Sequence, residues 1–385
     1  MFVSSVCRTS ILNSFFKRTG HGYRFYSQVA EVTQYKKEKV PWPRRVLSGI
    51  QPTGPVHIGN YLGAVKKWVE LQNEGEDVMV SIVDLHSITL PQDPNTLRSN
   101  ILEMTATLLA CGVDPDKSIL FLQSSVTRHA ELCWILGCFS TIARLGHLPQ
   151  YKEKSDSMKE VPLGLFIYPV LQAADILLYK ATHVPVGEDQ LQHLQMAQQI
   201  AKTFNHRFGR TFPHPSAILG EISGNRLKSL REPLKKMSKS EPDPKSRILL
   251  TDTPEQITLK FRKAVTDFTP EVTYNPEARP GVSNMIDIHC MMTNKIPEEI
   301  VEEVEGVTTG KYKYVVAESV IAQLEPIRVK IEDYLSHPEY LVDILNKGAE
   351  KAKKRADVTF NEVCNKVGLG IPEVIQRQHA IPSKI

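Results

Sequence analysis

From Arg44 onward the chain alternates short apolar runs with stretches of helical period, and this alternation narrows the choice of fold more than any other feature. Val46-Leu47-Ser48-Gly49-Ile50 reads as a buried strand. Pro52-Thr53-Gly54-Pro55 reads as a turn, after which Ile58, Leu62, Val65 and Val69 mark one face of a helix. Residues 78–83 read as a second strand, 97–110 as helix, 119–122 as a third strand and 130–143 as helix again. Strand and helix in alternation imply a parallel sheet with helices on both faces. Ligands in such sheets bind beyond the carboxyl ends of the strands, near a switch in strand order.

The later part of the chain changes character. Thr253-Pro254-Glu255-Gln256 has the marks of a capped helix start: a Thr cap, Pro at the first helical position and Gln three residues after the cap. Beyond it strand signals thin out, and 341–367 reads as helix, with Gly348 inside it and Gly368 and Gly370 closing it. The expectation is an α/β nucleotide-binding domain over 43–250 and a helical domain over 251–385.

The 385 residues suffice for two packed domains, and the 41% apolar content is ordinary for a soluble protein. The longest apolar runs fall well short of a membrane span, so no transmembrane helix is expected. The formal charge of +4 is unevenly placed. Residues 1–30 carry Arg8, Lys17, Arg18 and Arg24 and no acid; beyond them bases and acids balance at 43 each. Bulk charge therefore gives no argument for nucleic-acid binding, and any RNA contact must come from local patches. The leader is basic, rich in Ser and Thr, and studded with Val6, Ile11, Leu12, Phe15 and Phe16. That composition suits a mitochondrial transit peptide over 1–26, cut before Ser27, with the mature protein in the matrix. None of the six cysteines forms C-x-x-C, so reduced, structural thiols and no metal centre are expected.

Three segments carry the chemistry. In Val56-His57-Ile58-Gly59-Asn60, a tight turn delivers the chain into a helix, whose first N–H groups and dipole favour an anion. Gly59 leaves room for a nucleotide against the backbone, and His57 and Asn60 can donate to phosphate or base. Lys236-Met237-Ser238-Lys239-Ser240 reads as a loop bounded by prolines, with two lysines that can clamp a triphosphate as charge grows on the leaving pyrophosphate. In Tyr168-Pro169-Val170-Leu171-Gln172-Ala173-Ala174-Asp175-Ile176-Leu177-Leu178-Tyr179, Asp175 falls on a mainly apolar helical face. A carboxylate buried there needs a partner, whether one arriving with a substrate or one supplied by backbone or arginine. His129, His147, His183 and His193 show no ligand spacing and read as ordinary histidines, and Trp68 and Trp134 read as core.

The first two segments, in this order and separation, resemble the two signatures of class I aminoacyl-tRNA synthetases, and the third resembles the Ala-Ala-Asp-Ile-Leu-Leu-Tyr motif of the tryptophanyl branch. The likeness continues through Ser48–Gly54, Val83-Asp84-Leu85-His86, Lys152-Glu153-Lys154-Ser155 and Val184–Gln190, over about residues 45–370. It implies a Rossmann-type catalytic domain with a dimerisation insertion, and a helical domain for the tRNA anticodon. The substrates it implies are ATP with Mg²⁺, L-tryptophan and tRNA(Trp), and the assembly it implies is a homodimer. By the same resemblance Asp175 accepts the indole N–H, Tyr168 and Gln190 hold the ammonium, and Gln51 and His86 lie around the tryptophan carboxylate and the α-phosphate. Lys154, Lys236 and Lys239 would bind phosphates. Gln51, His57, Gly59, Asn60, Met237, Ser238 and Ser240 would contact ATP, as would Gly187, Glu188 and Asp189 at its ribose. Leu47 stands where the family often has Phe, and Gln172 where it often has Met. The nearest alternatives are a tyrosyl-tRNA synthetase and a noncatalytic RNA-binding factor on the same fold, and the intact phosphate loop speaks against the second.

Overall fold

The computed structural model describes residues 41–148, 151, 158–187, 190–219, 227–239 and 241–371. Lys154, Glu188, Asp189, Ser240 and the leader lie outside them. The sheet is built from five parallel strands: β1 (Val46–Ile50), β2 (Val78–Ile82), β3 (Ile119–Leu122), β4 (His183–Pro185) and β5 (Ser216–Ile218), in the order β3-β2-β1-β4-β5. Strand order therefore reverses between β1 and β4, which is where such a sheet opens a crevice.

The central strands β1, β2 and β3 are covered on both faces, so buried residues follow one another along them rather than alternating with exposed ones. Val46, Val78, Val80, Ile82 and Leu120 point into one core layer; Leu47, Met79, Ile119 and Phe121 point into the other. The first layer is covered by the Pro94–Ala110 helix and by the later helices Pro254–Arg262, Pro280–Thr293 and Thr309–Leu335. The second is covered by Arg128–Gly137, Leu163–Leu178 and Leu191–Phe208. One core thus joins residues from both sides of position 250.

The long Pro338–Val367 helix returns to cross β3. At the crossing a Cβ on Gly348 would lie 1.7 Å from the Leu120 carbonyl oxygen, so only glycine fits. This close approach outweighs the roughly 1 kcal/mol that glycine costs inside a helix.

Most sequence-based elements appear where expected. The Thr253 cap forms a capping box with Gln256, and Gly368 ends its helix in the left-handed conformation at φ 79°. Two expectations are corrected. The helix expected over 130–143 is broken: Arg128–Gly137 ends at Cys138, and Thr141 starts a new turn by accepting from the Arg144 N–H. Trp134 is not core; it is 77% exposed, while Trp68 is buried as expected.

Candidate active site

A cavity of about 670 Å³ opens at the carboxyl ends of β1, β2 and β4. The chain leaving β1 supplies Gln51, the turn after β2 supplies Val83 and His86, and the segment after β4 supplies Val186, Gly187 and Gln190. The Leu163–Leu178 helix closes the far side with Tyr168, Gln172 and Asp175. All five residues expected around tryptophan (Gln51, His86, Tyr168, Asp175 and Gln190) therefore line one cavity, and Leu47 and Gln172 line it too.

Asp175 is buried, and its carboxylate is already met by protein donors. His86 Nε2 lies 2.8 Å from Oδ2 and His129 Nδ1 2.7 Å from Oδ1, while Gln123 Nε2 reaches both oxygens at 2.8 and 2.9 Å. Burial pushes the carboxyl pKa up, but the bonds from His129 and His86 outweigh it and hold the group well below the usual carboxylate range. The partners are thus two histidines and an amide, not the backbone or arginine considered from sequence. From sequence His129 reads as an ordinary histidine, and no local motif marks Gln123.

Tyr168 is similarly supported. Its hydroxyl lies 3.1 Å from His193 Nε2, His193 Nδ1 lies 3.0 Å from Gln190 Oε1, and burial raises the phenol to about 12. His193, also read as ordinary, ties the two residues expected at the ammonium end to each other.

The two signature segments do not line this cavity, but they are brought together beside it. Ile58 N–H donates to the Ile248 carbonyl and Leu250 N–H to the Val56 carbonyl, so the chain leaving the lysine loop pairs with the chain entering the first helix. Lys239 Nζ donates to the Gly54 carbonyl at 3.0 Å, which docks the loop on the turn after β1. Burial lowers the Lys239 pKa to about 8, against the opposing pull of Glu103. Lys236 is exposed, and Met237 is 2% exposed with its side chain in the core, anchoring the loop between the two lysines.

His57 caps the first helix, its Nδ1 accepting from the Gly59 N–H at 3.1 Å. Burial, then the nearby Lys239, Lys236 and Arg247, lower its pKa to about 4. The ring is therefore neutral at pH 7, with its proton on Nε2 as a donor. A Cβ on Gly59 would come within 2.9 Å of the His57 ring, so this glycine makes room for the imidazole in addition to any ligand. The Asn60 side-chain oxygen is buried with no protein donor.

A crevice at the switch in strand order, a buried hydrogen-bonded carboxylate and a docked lysine loop make a ligand site of the kind that open parallel sheets build. The model of the class I tRNA synthetases for tryptophan and tyrosine matches residues 41–325, and the chain belongs to that family. Relatives and solved structures narrow this to its tryptophanyl branch. The chain is 45% identical over 326 residues to the tryptophan–tRNA ligase of Caldanaerobacter subterraneus subsp. tengcongensis, covering 85% of this chain and 98% of the relative. It superposes on the tryptophanyl-tRNA synthetase of Mycoplasma pneumoniae with a TM-score of 0.77 at 32% identity, over 86% of this chain and 99% of that one. The Campylobacter jejuni enzyme, solved with ADP and tryptophan, gives 0.74 at 34% identity, over 84% and 100%.

Proposed function

We infer that this chain is a tryptophan–tRNA ligase. It joins L-tryptophan to AMP with release of pyrophosphate, then passes the aminoacyl group to the terminal ribose of tRNA(Trp). The observation that carries the reading is the cavity at the β1/β4 crevice, which collects a buried ionised acceptor and a supported tyrosine, with the Lys239 loop docked on the turn after β1.

The chemistry needs no nucleophile from the protein. The tryptophan carboxylate attacks the α-phosphorus in line and the bond to the pyrophosphate breaks. Orientation comes from Gln51, Tyr168 and Gln190; donors for the growing charge come from His57 Nε2, Lys236 and Lys239, with Lys154 as a further candidate. Among the described residues no group of three His, Cys, Asp or Glu side chains converges to hold a metal ion. Mg²⁺ would ride on the triphosphate, where it offsets charge. Charging of tRNA(Trp) with labelled tryptophan tests the whole sequence. Adenylate formation without transfer would reduce the assignment to an activating enzyme. The helices beyond residue 251 are the part proposed to meet the anticodon.

The enzyme is further proposed to be a homodimer. Trp134, Ile142, Leu163 and Ile167 are exposed apolar side chains on helices that pack beside one another. Light scattering at micromolar concentration should give twice the 43.4 kDa chain mass, and a monomer there would count against the dimer. Among the described residues no helix is long and apolar enough to cross a membrane. The acid-free basic leader supports residence in the mitochondrial matrix with a mature start near Ser27. N-terminal sequencing of the organellar protein checks this; an intact Met1 species found only in cytosol would refute it.

A further inference from the structure

The carboxylate of Asp175 has about four acceptor directions, and protein donors fill all of them. Only one of these donors, His86, borders the cavity; His129 and Gln123 sit behind the carboxylate, away from where a substrate enters. An indole N–H therefore arrives on the Oδ2 side, sharing that oxygen with His86 or taking its place.

The two rear donors are themselves fixed. His129 is fully buried and stacks on Phe121 with ring centroids 5.9 Å apart. Its Nε2 lies 2.8 Å from the Tyr179 hydroxyl, which is also buried. With Nδ1 on Asp175, this second contact at Nε2 pins the ring from its other side and fixes its orientation. Gln123 is oriented in the same way: its Oε1 accepts the Leu85 N–H at 3.1 Å, which aims Nε2 at the carboxylate.

We propose that His129, set by Tyr179, and Gln123 are positioning residues for tryptophan selection, fixing the Asp175 carboxylate so that Oδ2 faces the indole N–H. This rests on the reading that Asp175 meets that N–H. Neither residue touches substrate. Each acts through Asp175, as outer partners act through the ligands they orient.

The test compares L-tryptophan with its benzothiophene analogue, in which sulfur replaces the N–H, by amino-acid-dependent ATP–pyrophosphate exchange. His129→Phe keeps the stacking and removes the donor; His129→Asn retains a donor at the Nδ1 position. The His129→Phe enzyme should raise the tryptophan KM by about 10- to 100-fold and flatten the preference over the analogue. Its kcat and its ATP KM should change little. His129→Asn should restore most of the preference, and Tyr179→Phe, which preserves volume, should show a smaller loss in the same direction. An unaltered preference in His129→Phe, or His129→Asn no better than Phe, overturns the inference while leaving the Asp175 reading intact. Should His129→Phe fail to fold, an unaltered preference in Tyr179→Phe and Gln123→Leu overturns it. If wild type takes both substrates equally, the Asp175 reading fails, and this inference with it.

Discussion

With Lys239 replaced by alanine, adenylate formation is expected to slow by about 10²- to 10³-fold while the dissociation constant for tryptophan barely moves. In the substrate-free protein Lys239 spends its charge on one carbonyl, that of Gly54, in a half-buried setting that lowers its pKa to about 8. A triphosphate offers far more, and the charge on its leaving pyrophosphate grows toward the transition state. The benefit is then realised mainly in that state and appears in kcat. Lys236, which is exposed, should act in the same direction with a smaller effect. The pH dependence has a definite sign. Lys239 is cationic below about pH 8 and loses its charge above it, so kcat/KM for ATP should fall as pH rises through about 8. Lys239→Arg should abolish that limb. Stopped-flow measurement of adenylate formation checks both points; unchanged rates with only a raised tryptophan dissociation constant would refute them.

Asp175→Ala is expected to lose tryptophan activation and to melt at lower temperature. The loss of stability follows from the donors around the carboxylate. Removing the carboxylate leaves His86, His129 and Gln123 as buried donors without their acceptor, each costing about 1–3 kcal/mol. The loss of the indole bond itself should reduce tryptophan-dependent exchange by a further 10- to 100-fold or so. Calorimetry beside exchange assays separates the two contributions. A variant that melts like wild type would contradict the network. A stable variant that still prefers tryptophan over its analogue would contradict the reading role.

The sequence was most legible where a local pattern suffices. β1, β2 and β3 are runs of four or five residues buried on both faces, and the Thr253 box and Gly368 are local signals. β4 and β5 have three residues each, too few to show a period, and β4 ends in a proline. The site was legible as motifs because each signature is contiguous. Its supports were not, because Asp175 meets Gln123 across 52 positions, His129 across 46 and His86 across 89. No spacing rule links residues so far apart; only the sheet brings them together. A weak signal existed all the same: Gln123 follows β3 directly, at the strand end where ligands gather. Trp134 differs for another reason, since helical period alone cannot tell an apolar side chain in the core from one left at the surface.

The central claim is that this cavity activates tryptophan and reads its indole N–H. Amino-acid-dependent ATP–pyrophosphate exchange on the wild-type protein tests it most directly, with L-tryptophan, L-tyrosine and the benzothiophene analogue compared at equal concentration. Robust exchange is expected with tryptophan, none above background with tyrosine, and a reduction of at least about tenfold with the analogue. Exchange driven equally by tyrosine, or by the analogue as readily as by tryptophan, would contradict it.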